Sequence, residues 1–158
     1  MKSVTLVAVL ALVPVAAHAQ KPADVVHWSV KAPAPVKAGA AARIEIAADI
    51  EEGWHLYALT QPAGGPPPMT IAIAKDQPFD IKKGTIAGPA AITAADVNFG
   101  TETQYYEGKA TFTVPVTPKS ALKPGRHAVP VEITFQACNN RICLRPTTET
   151  LTTDVTIK

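Results

Sequence analysis

A period of two in the apolar residues, punctuated by prolines and glycines, constrains this chain more than any other feature. Val129, Val131, Ile133 and Phe135 share one parity, while Glu132, Thr134 and Gln136 share the other. Lys109 to Val116 repeats the pattern through Ala110, Phe112, Val114 and Val116, and Arg43 to Ile50 repeats it through Ile44, Ile46, Ala48 and Ile50. Side chains of a strand point alternately to its two faces, so this alternation describes half-buried strands. Shorter sets obey the same rule: Val26, Trp28 and Val30; Met69, Ile71 and Ile73; Phe79 and Ile81; and Leu151, Val155 and Ile157. After a turn at Glu51-Glu52-Gly53, Trp54-His55-Leu56-Tyr57 begins another strand, with Trp54 and Leu56 toward the core and His55 and Tyr57 on the other face. Gln61 to Pro68 is a loop, because proline cannot donate to a ladder. Gly88 to Gly100 is small and loop-like, and Lys123-Pro124-Gly125 is a turn. No stretch beyond the first residues carries a helical stripe. Roughly seven to nine short strands joined in this way point to an all-β, antiparallel β-sandwich.

The first residues read as a targeting signal. Lys2 gives a positive start, Val4 to Val15 is apolar apart from Thr5 and Pro14, and Ala17-His18-Ala19 has the small-x-small form of a cleavage site. The expectation is a signal peptide over residues 1–19, cleaved before Gln20, and a single domain over residues 20–158. The apolar run is too short to span a bilayer. Gln20 does not follow the pattern of a lipid-anchored cysteine, so a soluble exported protein without an anchor or membrane span is expected. With 19 of the 158 residues removed, 139 remain, enough for one domain with its own core. Loss of Lys2 leaves 14 basic and 13 acidic residues, a formal charge of +1, with no basic stripe for nucleic acid.

Both cysteines lie in one segment, Phe135-Gln136-Ala137-Cys138-Asn139-Asn140-Arg141-Ile142-Cys143-Leu144-Arg145-Pro146. Asn139 to Ile142 has the length and polarity of a hairpin loop, which sets Cys138 opposite Cys143. Opposed Cα atoms of an antiparallel pair are ~4.5–5.5 Å apart, within reach of a disulfide. Cys138 shares the parity of Thr134 and Gln136, so the strand should turn it away from the core. An exported protein works where thiols tend to pair. Two readings stay open on these residues. One is a structural hairpin disulfide, although closing so short a loop contributes only ~2 kcal/mol. The other is a dithiol that exchanges electrons, with Arg141 and Arg145 favouring a thiolate.

Tyr57, Tyr105 and Tyr106 lie on or near polar segments, either as ordinary surface tyrosines or as a cover over a reactive sulfur. His27 and His55 are isolated, and His127 sits at a turn. No His-x-His, Cys-x-x-Cys or Met-rich spacing supports a metal site. Ser29 and Ser120, the serines outside the leader, lack a nucleophile elbow.

Three segments combine into a resemblance: Gly53-Trp54-His55-Leu56-Tyr57, Gly64-Gly65-Pro66-Pro67-Pro68, and the cysteine segment with its Phe-Gln-Ala before and Leu-x-Pro after. In this order and spacing, over Val25 to Ile157, the chain resembles the N-terminal periplasmic domain of the DsbD family of thiol:disulfide interchange proteins. The resemblance implies an immunoglobulin-like β-sandwich in the periplasm, acting as a thiol-disulfide oxidoreductase or protein-disulfide reductase component without a cofactor. It implies that Cys138 and Cys143 are the redox pair, Cys143 forming the mixed disulfide and Cys138 resolving it. Reducing equivalents would come from a thioredoxin-like redox domain or membrane electron carrier and pass to a periplasmic disulfide isomerase or another oxidised protein. His55 and Tyr57 fall beside the cysteines, His55 where a tyrosine can occur. Tyr105 or Tyr106 falls where a cap loop carries an aromatic over the disulfide, near the acidic Glu102; this chain has an extra residue there. Full-length members add a membrane-embedded carrier and a C-terminal thioredoxin-like domain, whereas this sequence ends at Lys158, so a separately encoded donor, or service to a different acceptor, is expected. The rival from another class is an immunoglobulin-like binding module whose hairpin disulfide is purely structural. A second rival is a metal carrier using Cys138, Cys143 and a histidine.

Overall fold

Alternation produces the long strands at the expected places. The computed structural model describes residues 20–158; the expected leader and its cleavage site lie outside the described residues. Strand β1 is Val26–Lys31, β2 Ala42–Ile50, β3 His55–Tyr57, β4 Thr70–Ile73 and β5 Phe79–Asp80. Next come β6, Ile92–Asp96, β7, Thr101–Tyr106, and β8, Lys109–Pro118. The last are β9, Gly125–Phe135, β10, Ala137–Cys138, and β11, Thr147–Ile157. Every strand pairing is antiparallel, in three sheets ordered β1-β2-β8-β5, β10-β3-β7-β6 and β11-β9-β4. The fold is an immunoglobulin-like antiparallel β-sandwich, as expected.

The inward parities form the core. Ile44 and Ile46 of β2, Phe112 and Val114 of β8, and Val131 and Ile133 of β9 are all fully buried. Each such side chain contributes ~1.5–3 kcal/mol by leaving water. Aromatic rings tie the layers together: Trp28 of β1 lies 5.3 Å from Phe135 of β9, and Tyr106 of β7 lies 5.3 Å from Phe112 of β8. Glycine is required at position 88 by space: a Cβ there would stand 2.7 Å from the Phe112 ring.

Two expectations change. Eleven strands are present among the described residues, more than the roughly seven to nine expected: β7 and the two-residue β10 lie outside the alternating sets, and the segment Gly88 to Gly100, expected as loop, contains β6. Its Ile92-Thr93-Ala94-Ala95-Asp96 is largely exposed, so no apolar alternation marks it, and pairing with β7 alone defines it. The second change concerns β3. His55, Leu56 and Tyr57 are all buried, so the face that carries His55 and Tyr57 is covered as well as the core face. What covers it is the site.

Candidate functional site

Gln136 is where the cysteine segment changes sheet. Up to Phe135 the chain pairs with β11, whereas Ala137 and Cys138 pair with β3, opposite Leu56 and His55. Gln136 Nε2 donates to the Leu144 carbonyl at 3.0 Å, and Leu144 N donates to the Ala137 carbonyl at 2.9 Å. These bonds fasten the two arms of the loop. Asn139 shapes the tip: its Oδ1 accepts from the backbone N–H groups of Arg141 at 2.8 Å and Ile142 at 2.9 Å. An asparagine that captures backbone N–H groups just ahead of it stabilises a tight reversal. Asn139 N also donates to the Ile142 carbonyl at 2.9 Å. Cys138 and Cys143 face each other across an antiparallel bridge, with Cα atoms 4.1 Å apart, and form a disulfide.

Parity does not carry through Gln136, and the expected exposure of Cys138 is corrected. Cys138 is fully buried, and Cys143 is the half-buried partner. Once the chain joins β3, the face that Cys138 occupies lies under the turn between β6 and β7. That turn is pinned to the cysteine loop, since Asn98 Nδ2 donates to the Asn139 carbonyl at 2.9 Å. Phe99, on the same turn, meets the Tyr57 ring edge-on at 5.6 Å.

Asp96, the last residue of β6, is the hub. Its carboxylate accepts from the Tyr57 hydroxyl at 2.7 Å, the Thr103 hydroxyl at 3.2 Å and the Asn98 backbone N–H at 2.8 Å. The Tyr57 oxygen also lies 3.9 Å from Cys143 Sγ, so one hydroxyl links carboxylate and sulfur. His55 Nε2 stands 3.7 Å from Asp96 Oδ2, buried and without a hydrogen-bond partner. Its ring packs 5.2 Å from Tyr57 and 4.7 Å from Tyr105.

The electrostatics follow from burial and from these bonds. Burial pulls the Asp96 carboxyl up, but hydrogen bonds from Tyr57, Asn98 and Thr103, with His55 nearby, outweigh it and leave the group below its ordinary value. Burial and the Asp96 charge both push the Tyr57 phenol far up, so it stays a donor. Burial lowers His55, and the opposing pull of Asp96 and Glu107 does not overcome it. The resting site therefore pairs a neutral imidazole with an ionised carboxylate. Among the described residues, no group of three or more His, Cys, Asp or Glu side chains is arranged to hold a metal.

His55, Tyr57 and Tyr105 come together at the cysteines. Tyr106 does not: it is buried in the core against Phe112, because its parity on β7 is opposite to that of Thr103 and Tyr105. Glu102 shares the parity of Tyr106 and is exposed, so the acidic member of the site is Asp96 instead. Tyr105 sits on a strand, and the aromatic carried by the turn is Phe99. Arg141 and Arg145 are exposed at the loop. Asp96, Asn98, Phe99 and Thr103 were missed by sequence reasoning. Asp96-Val97-Asn98-Phe99-Gly100 does carry a turn signal, with Gly100 at φ 66° and an Asp that captures the N–H two residues on. Nothing local indicates that this turn meets the cysteines.

A disulfide at the edge of a β-sandwich, with one cysteine buried and the other half-buried, has the arrangement that thiol–disulfide exchange requires. Comparison with known proteins leads to the same class. The family model for "Thiol:disulfide interchange protein DsbD, N-terminal" matches residues 19–155, and the chain belongs to this family. The DsbD N-terminal domain of Neisseria meningitidis in the reduced form is similar in structure, with TM-score 0.58 and 14% identity, over 87% of this chain and 90% of that one. The N-terminal periplasmic domain of ScsB from Proteus mirabilis is similar with TM-score 0.58 and 17% identity, over 87% of this chain; it spans 49% of that one. No curated protein matches the chain. Among the described residues, no helix is long and apolar enough to cross a membrane.

Proposed function

We propose that this domain shuttles reducing equivalents in the periplasm through Cys138 and Cys143, taking them from a thioredoxin-like donor and passing them to an oxidised protein. The observation that carries the reading is the unequal exposure of the two sulfur-bearing residues, Cys143 half-buried and Cys138 fully buried. Cys143 is then the sulfur that a partner thiolate attacks, and Cys138 leaves and later resolves the mixed disulfide. The turn carrying Asn98 and Phe99 moves aside when a partner docks. Tyr57 and Asp96 set the polarity beside Cys143. No separate cofactor enters this chemistry.

Trapping tests it. In the Cys138→Ser variant a mixed disulfide at Cys143 has no resolving thiol on this chain, and it accumulates when the partner's own second active-site cysteine is replaced as well. The expected result is a covalent adduct between this variant and a thioredoxin-like protein that carries one active-site cysteine, activated as a mixed disulfide with thionitrobenzoate, absent for Cys143→Ser. Equal adduct from both variants contradicts the assignment. The complete burial of Cys138 favours a second reading, a structural staple; that reading predicts no adduct from either variant and a bond that resists mild reductants.

A further inference from the structure

We propose that His55 is a positioning residue for exchange, balancing the negative charge that appears on Cys138 when the disulfide opens. The inference rests on the exchange reading above and adds a proton to it. His55 stands directly across the β3–β10 pair from Cys138, and opposed residues of an antiparallel pair project to the same face. It is 8% exposed, and its Nε2 has no hydrogen-bond partner. Beside it lies a polar cavity of about 50 Å³ lined by His55, Asp96, Tyr105, Glu107 and Asn140 among others, large enough for water to carry a proton in. The titratable groups around the imidazole are Asp96 from β6, Tyr105 from β7, Glu107 from the β7–β8 turn, Tyr57 from β3 itself and Cys138 from β10. Two of these are acids, and none is a cation.

The chemistry gives that imidazole a task. A donor thiolate attacks Cys143 Sγ, a bond forms between the donor sulfur and Cys143, and the Cys138–Cys143 bond breaks with its electron pair left on Cys138. That thiolate appears in a buried place where Asp96 is already ionised, and two like charges there disfavour each other. An imidazolium at His55 offsets both, and Cys138 then takes its proton from water that enters by the adjoining cavity. The donor's second thiolate then attacks the donor sulfur of the mixed disulfide, releasing Cys143 as a thiolate that takes a proton from water. The donor dithiol is oxidised to a disulfide, and Cys138 and Cys143 are reduced to thiols. Because burial holds His55 below its ordinary value, the imidazolium is populated only on acidification.

The test is the rate at which dithiothreitol reduces the full chain across pH, divided by the dithiothreitol thiolate concentration, with the imidazole titration of the oxidised protein followed by NMR. The corrected rate of the wild type is expected to rise on the order of tenfold as pH falls through the measured His55 pKa. His55→Gln should be flat over the same range. A wild-type profile with no step at that pKa overturns the role of His55 without reference to any variant, as does the same step in His55→Gln. A bond that dithiothreitol never opens overturns this inference and the exchange reading together.

Discussion

Asp96 shows how one residue can organise a site by accepting rather than reacting. Its carboxylate collects Tyr57, Thr103 and Asn98, and without it a buried phenol loses its acceptor. Asp96→Asn is therefore expected to destabilise the domain by about 1–3 kcal/mol, measured by urea denaturation at neutral pH. The carboxyl is held below its ordinary 3.8, so its contribution is present above that pH and fades as pH falls through the lower folded value. The gap between wild type and Asp96→Asn should narrow under strong acid; a gap that stays constant would show the carboxylate charge to be irrelevant. His55 acts at milder pH. Its folded value lies below the ordinary 6.5, so the unfolded chain takes up the proton first and stability falls as pH drops from about 6.5 through the folded value. His55→Gln should lose less stability than the wild type over that interval.

In the proposed exchange, the β6–β7 hairpin is the element that decides access to the sulfurs. Among the described residues, the Asn98–Asn139 hydrogen bond ties its turn to the cysteine loop, beside the contact of Phe99 with Tyr57. Losing a bond of about 1 kcal/mol shifts an opening equilibrium roughly fivefold. Asn98→Ala and Phe99→Ala should each speed reduction of the disulfide by dithiothreitol several-fold, and unchanged rates would mean that the turn does not gate Cys143. At the β8 end of the core, Gly88→Ala pushes a methyl group against Phe112, which Trp28 and Tyr106 hold from other sides. A loss of about 1–3 kcal/mol is expected in thermal unfolding. The strands were legible where burial is one-sided: β2, β8 and β9 alternate and appear where their parity places them. β6 was not, because alanines and threonines on an exposed strand leave no contrast to read. Parity also failed at Gln136, since a change of sheet resets which face is covered. Tyr57 and Asp96 are 39 residues apart, and a period-two pattern contains no information about such a meeting. Tyr57 was already a candidate cover on its own residue type, His55 was found through the resemblance, and Phe99 was missed because Tyr105 and Tyr106 are the more conspicuous aromatics nearby.

For the molecule as a whole, the disulfide sits at one end of a core that does not depend on it. The buried side chains of β2, β8, β9 and β11 form a continuous cluster, and closing a six-residue loop contributes only ~2 kcal/mol. The reduced domain should remain folded, with Tm lowered by about 10 °C or less. A fold that survives both redox states is what an exchange domain needs, and collapse on reduction would mark the bond as a staple. The most direct test of the central claim is the reduction potential of the Cys138–Cys143 pair, measured by equilibrating the protein in glutathione and dithiothreitol buffers. The account predicts a value among exchange proteins, roughly −270 to −120 mV. A value below about −300 mV would contradict it.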